Sequence, residues 1–327
     1  MFTEALEDIL RDHCTPAVVR AIEAGGQPGA LWSAIADAGF LELLAPEDAG
    51  GAGLTLAEAF PVFALLGRYA VPLPVGQAIV ARALLPAGAV PAGIVTLAPA
   101  LRHTAGGWQA PLVPHGLQAG HVLADDGESL WLFDAAQARR EATGIHHDTR
   151  AHLHWPAGAQ PQRFERPGDA CTAFGAALHA ALLAGALSRT FEITLAYGND
   201  RTQFGRSIGK FQAIQHQLSI MAEHVAAARM AAESAFAHRL NAPALLSAAV
   251  AKARASEAVV LAASIAHAVH GAIGVTEEYD LQLYTRRLHE WRMAHGSESH
   301  WHPLIGRAVL AEGLPTLTEF VRTLQEH

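Results

Sequence analysis

Histidine is the side chain most available for chemistry in this chain, with 19 copies against two cysteines. His146-His147-Asp148 and His152-x-His154 have spacings that metal sites use, and residues 152 and 154 would share one face of a strand. Spacing fixes no third ligand, and a histidine-rich composition produces such pairs by chance, so no metal is expected. Ser188 and Ser297 lack partners at triad spacing and no G-x-S-x-G elbow occurs, which argues against a hydrolase. No G-x-G-x-x-G follows a strand pattern, so a Rossmann nicotinamide site has no support. Gly50-Gly51-Ala52-Gly53 follows a helix pattern instead. Cys14 and Cys171 are too few for a disulfide scaffold or a four-cysteine zinc site, and suit a reducing compartment.

The elements around these residues can be read from composition and period. Of 327 residues, 51% are hydrophobic, yet aromatics amount to 12 Phe, 6 Trp and 4 Tyr, so the apolar content is chiefly alanine and leucine. Those residues favour helices that pack closely. Residues 1–88 read as short helices, over Asp8 to Arg20, Leu31 to Leu44 and Leu56 to Gly67, with a glycine-rich turn from Pro46 to Leu54. Residues 89–166 hold short runs bounded by Gly, Pro and Asp, such as Ile94 to Leu97, Leu130 to Phe133 and Ala151 to Trp155, and read as a small β domain. Residues 167–327 carry long helices, over Thr172 to Tyr197, Phe211 to Leu240, Ala244 to Val269 and Asp280 to Met293, the pattern of an antiparallel bundle. The fold class is mostly α with a small β domain.

The net charge of −8 argues against broad nucleic-acid binding. The acidic start, Met1 to Asp8, is unlike a signal peptide. The most apolar stretch, Ala248 to Val269, is broken by Lys252, Arg254 and Glu257, where a membrane span needs about 20 apolar residues. A cytoplasmic protein with neither nucleic acid nor membrane as partner is expected.

Arg201-Thr202-Gln203-Phe204-Gly205, then Phe211-Gln212-Ala213-Ile214-Gln215, closely resembles the acyl-CoA dehydrogenase signature, an R-x-x-F-G loop followed by F-Q-x-x-Q. His270-Gly271-Ala272-Ile273-Gly274 with Leu283-Tyr284-Thr285-Arg286-Arg287 is similar to a second block of that family. The Pro46 to Leu54 turn and Leu66-Gly67-Arg68 resemble its amino-terminal domain, so the likeness covers nearly the whole chain in order. The resemblance implies a helical domain, a β domain and a four-helix domain. It also implies oxidation of an acyl-CoA thioester between Cα and Cβ, with a carboxylate as base and FAD as hydride acceptor.

On this resemblance, Arg201 contacts the FAD pyrophosphate of a neighbouring subunit, a role suited to a guanidinium fork. Phe204 packs beside the cofactor, with Gln203, Gln212, Gly271, Gly274 and Ser297 as further contacts. The chain also departs from the pattern. Ala268 and Ala272 stand where relatives carry Gln and Gly. At the usual glutamate base, nine residues past Arg286, stands His295, followed by Gly296-Ser297; at the alternative base position, 26 residues before Arg201, stands Gly175. An imidazole can accept a proton near neutrality, which makes His295 a candidate base of different shape and reach. The Thr-Glu-Pro-x-x-Gly-Ser-Asp loop and Trp-Ile-Thr-Asn strand of relatives, which hold the flavin, have no counterpart between Ile94 and Gly116.

The chain therefore resembles the shorter, degenerate subunit of the α₂β₂ acyl-CoA dehydrogenases that act on steroid side-chain thioesters, whose longer partner keeps the base. The implied partners are an acyl-CoA substrate, a longer homologous subunit and electron-transfer flavoprotein as electron acceptor. A self-sufficient homomer using His295 and a non-catalytic assembly module are the alternatives. Arg286, Arg287 and Arg292 could face a partner subunit, a CoA phosphate or solvent.

Overall fold

The computed structural model describes residues 2–237, 241–313 and 316–326. Five helices come first: α1 (Phe2–His13), α2 (Pro16–Glu23), α3 (Gly29–Asp37), α4 (Leu56–Arg68) and α5 (Val75–Leu84). The single helix predicted over Asp8 to Arg20 is divided in two. Pro16 sits at the first turn of α2, where its missing N–H costs nothing, and the Thr15 hydroxyl accepts from Val18 N. The run predicted over Leu31 to Leu44 stops early because Gly39 takes φ +81°, which ends α3 and turns the chain into a short 3₁₀ segment. Helix α4 starts with a capping box: Glu58 N donates to Thr55 Oγ1, and Thr55 N donates to Glu58 Oε2.

Eight strands follow in two four-stranded sheets. One is ordered β1 (Val95–Ala98), β4 (His121–Asp125), β5 (Ser129–Asp134), β8 (Gln162–Glu165). The other is ordered β2 (Arg102–Thr104), β3 (Gly107–Val113), β7 (Ala151–Pro156), β6 (Arg139–Ala142). Among the described residues, β1 and β4 are the one parallel pair. Inward residues of both sheets, including Val122, Phe133, Leu153 and Trp155, form a core of their own, with the Phe133 and Trp155 rings 4.3 Å apart. Three residues, 99–101, join β1 to β2.

The remaining elements are α6 (Ala170–Asp200), the β9–β10 hairpin (Thr202–Gln203, Arg206–Ser207), α7 (Gln212–Ser234), α8 (Leu245–His270), α9 (Leu281–Met293), α10 (Glu298–Glu312) and α11 (Leu317–Glu326). The helix predicted over Phe211 to Leu240 is shorter, and residues 238–240 lie outside those described. Helix α6 is the axis of the molecule, touching α4, α7, α8 and α9. Small residues set those spacings. A Cβ at Gly185 would overlap Ala64 O and lie 2.8 Å from Arg68 N, while one at Gly67 would overlap Leu182 O, so α4 and α6 cross backbone to backbone. Helix α6 and the span Leu245–Val275 are long and apolar enough to cross a bilayer, but 89% of the most apolar window of α6 is buried inside this fold.

Candidate functional site

The residues singled out by sequence fall into two groups at opposite ends of α6. Arg201 caps the helix, its N–H bonded to Tyr197 O and its carbonyl accepting from Ile208 N, which closes the β9–β10 hairpin. Gln203 and Phe204 form the tip. Phe204 has φ +50° and is 91% exposed, an unusual position for a phenylalanine in a chain whose other large apolar residues are mostly buried. Arg206 lies over the Phe211 ring at 4.1 Å and braces the base of the hairpin. Gln212 opens α7 and is exposed.

The turn after α8 packs against the same end of α6. The Tyr197 ring stacks on His270 at 4.3 Å, and its hydroxyl donates to His270 O. Gly271 takes φ +64°, ψ −146°, a conformation essentially restricted to glycine, and the space beside its Cα is open. Gly274 has a different reason to be glycine, since a Cβ there would press on His270 and Leu281 at 3.0 Å. Arg201, Gln203, Phe204, Gln212 and Gly271 thus share an exposed end of the bundle. Their chemistry fits the pyrophosphate end of a dinucleotide: a guanidinium, an amide, an aromatic face and a backbone with no Cβ in the way.

The second group sits where α6 begins. Gly175 and His295, the two positions that the sequence resemblance marks out as places for a base, face one another directly. A Cβ at Gly175 would overlap His295 Nδ1 and lie 2.7 and 2.8 Å from its Cε1 and Cγ. The imidazole therefore occupies the volume that a side chain at 175 would need. His295 has φ +50°, its ring lies tilted against that of His179 with centroids 4.8 Å apart, and its Nε2 is sealed from solvent without a hydrogen-bond partner, although part of the residue reaches the surface. Burial, with the Lys252 ammonium nearby, pushes its pKa down to about 3. His179, whose Nδ1 donates to Gly175 O at 2.8 Å, is pushed down as well, by burial and then by His295 and Lys252. A ring so reluctant to take up a proton is a poor base at neutral pH. Ser297 begins α10 two residues on, and its carbonyl accepts from His300 N and Trp301 N.

Lys252 was legible in the sequence only as a charge interrupting an apolar stretch. It is fully buried, and its Nζ donates to Gly296 O at 2.6 Å, Arg292 O at 2.8 Å and Ser256 Oγ at 2.9 Å. One ammonium thus anchors the loop that carries His295 to α8, while burial pulls its pKa from 10.5 to about 7. A lone lysine four residues before a serine on an alanine-rich face was the available signal.

The three arginines of α9 and the segment after it are partnered within the chain. Arg287 is buried between Glu23 and Glu290, each at 2.5 Å, Arg286 pairs with Glu23 at 2.6 Å, and Arg292 pairs with Glu298. The two pairs to Glu23 tie α2 to α9, and the pair to Glu298 ties α9 to α10. Both cysteines are free and buried, with thiols pushed up to about 12 chiefly by burial. Along α6, Gly175 and Arg201 are separated by 26 residues, about 39 Å of helix rise. The two groups therefore lie far apart in the molecule.

Comparisons with known proteins agree with this architecture. The family described as "Acyl-CoA dehydrogenase, N-terminal domain" matches residues 1–89, and "Acyl-CoA dehydrogenase, C-terminal domain" matches residues 170–310. The acyl-CoA dehydrogenase IpdE2 of Mycolicibacterium smegmatis is 35% identical over 294 residues, which cover 88% of this chain and 91% of the relative. The ChsE4–ChsE5 complex from Mycobacterium tuberculosis contains a chain that superposes with a TM-score of 0.83 at 23% identity, covering 96% and 97% of the two chains. A chain of the Tcur3481–Tcur3483 steroid acyl-CoA dehydrogenase superposes with a TM-score of 0.78 at 26% identity, covering 95% and 97%.

Proposed function

This chain belongs to the acyl-CoA dehydrogenase family, and from that premise we propose that it is the subunit that completes a partner's FAD site and has no working base of its own. The observation that carries the reading is the contact between Gly175 and His295. Neither base position holds a carboxylate, and the histidine at one fills the space left empty at the other. Both similar complexes named above contain two different chains, which supports a heteromeric assembly with a longer homologue.

The reaction is removal of an α-proton and a β-hydride from an acyl-CoA thioester. FAD, when bound, would supply the hydride acceptor, with electron-transfer flavoprotein as the onward electron acceptor. The chain's own residues bind and shield. Arg201 offers its guanidinium to the pyrophosphate, with the side-chain amides of Gln203 and Gln212 as further donors. Phe204, exposed here, gains a dry surface only on assembly and excludes water there. Gly271 leaves the backbone open to close approach. The carboxylate base comes from the longer subunit. The steroid enzyme among the similar structures supports a bulky alicyclic acyl group as the substrate class.

The self-sufficient homomer requires His295 to reach substrate and accept its proton. The sealed Nε2 and the low pKa weigh against it.

Replacing Arg201 in the co-purified complex tests the role of this chain. Arg201→Ala is expected to leave assembly intact and to lower bound FAD per complex at least tenfold at limiting FAD, because a charge-assisted phosphate contact contributes about 1.5–3 kcal/mol. Unchanged flavin content would remove the shared-site reading and leave an assembly module.

A further inference from the structure

The adjacent histidines 146 and 147 acquire in the fold the third ligand that their spacing did not supply. Glu277, 130 residues away in the turn before α9, lies beside them. One ligand atom from each of the three residues falls within 4.8 Å of the others. We propose that His146, His147 and Glu277 bind a borderline divalent cation of the Zn²⁺ class, joining the β6–β7 loop to the α8–α9 connection.

Several observations bear on this. His146 Nε2 and Glu277 Oε1 are 3.5 Å apart, too far for a good hydrogen bond but close to the edge of a tetrahedron with bonds of about 2.0–2.1 Å, roughly 3.4 Å. The longest separation closes by side-chain rotation, which the exposure of His146 and Glu277 permits. The loop beneath the histidines is already braced. Thr143 Oγ1 donates to Asp148 Oδ2 at 2.6 Å, Asp148 N donates to Ile145 O, and Arg150 grips the Asp148 carboxylate with Nε and Nη2. His147 has φ +59°, a left-handed conformation uncommon for a residue with a side chain, and its ring lies 3.7 Å from that of His146. Two imidazoles held against each other beside a carboxylate bring their ring nitrogens and a carboxylate oxygen within reach of one shared cation. Two nitrogens and one oxygen suit zinc, nickel or copper and not calcium or magnesium. With three protein ligands, one position is left for water or a partner's side chain, on the rim of a cleft of about 330 Å³ that His267 and His289 also line.

The test is titration of the metal-free chain with Zn²⁺ against a chromophoric chelator, alongside Co²⁺ absorption spectroscopy. One equivalent should bind at micromolar concentration, and Co²⁺ should give the intense visible bands of a four-coordinate site. His146→Ala, His147→Ala and Glu277→Gln should each weaken binding tenfold or more and abolish the bands, whereas His152→Ala should change neither. All four side chains are at least partly exposed, so the variants should fold. No binding up to 100 µM, or equal binding by wild type and Glu277→Gln, would overturn the site. An octahedral, weakly absorbing Co²⁺ complex that survives all three substitutions would do the same.

Discussion

Gly175→Ala is a substitution whose sign separates a filled site from an open one. In an exposed helix interior the change is stabilising by about 1 kcal/mol, because alanine is the better helix former. At Gly175 the new Cβ would overlap His295 Nδ1 and lie 2.7 and 2.8 Å from two further ring atoms, so the whole imidazole edge must retreat by about 1 Å. The ring is backed by His179 on one side and its loop is held by Lys252. Overpacking of this kind costs about 1–3 kcal/mol. Set against the propensity gain, Gly175→Ala is expected to destabilise the chain by up to about 2 kcal/mol in urea unfolding. His295→Ala should remove the clash, so that the double variant is at least about 1 kcal/mol more stable than the sum of the single changes. Stabilisation by Gly175→Ala, or additivity of the two substitutions within about 0.5 kcal/mol, would refute the interlock.

Three further outcomes follow from burial. Lys252 binds its proton less tightly in the fold (pKa about 7) than in the unfolded chain (10.5), so the unfolded state holds more protons between those values and stability rises with pH across that window. The stability of wild type relative to Lys252→Met should therefore increase from pH 7 to pH 10 by up to about 1.4 kcal/mol per unit, and a flat difference in paired urea titrations would contradict it. His115, His179 and His295 are all pushed below 6.5, the first and last to about 3, so the unfolded chain takes up protons first as the solution is acidified. Stability should fall between pH 6.5 and 5 by at least about 3 kcal/mol from His115 and His295 alone, and an unfolding midpoint unchanged at pH 5 would rule this out. Gly185→Ala should cost at least about 3 kcal/mol, because the atoms in its way are the α4 backbone, whereas Gly306→Ala, with nothing within 4 Å, should be neutral or stabilising. Equal thermal shifts for the two would show that α4 and α6 can separate freely.

The helices and strands were legible where composition and period agreed. The alanine-rich runs became α6 to α8, the run from Asp280 to Met293 became α9, and the alternation from Ala151 to Trp155 became β7. Helix α5 was not legible: it is buried over much of its length and shows no polar face to set a period. Element ends went astray at Pro16 and Gly39, where a single residue outweighs the periodicity around it. The Arg201 hairpin was recognisable because its motif is contiguous. The relation between Gly175 and His295 was not, since 120 residues separate them and only packing shows that one fills the space of the other. Lys252 and Glu277 were hidden for the same reason: the role of each depends on what the fold places beside it.

The visible spectrum of the chain purified alone and of the chain co-expressed with a longer homologue bears most directly on the division of labour. The isolated chain should be colourless near the flavin band and inactive toward acyl-CoA, while the co-purified complex should be yellow and active. Yellow, active protein from this chain by itself would contradict the shared site.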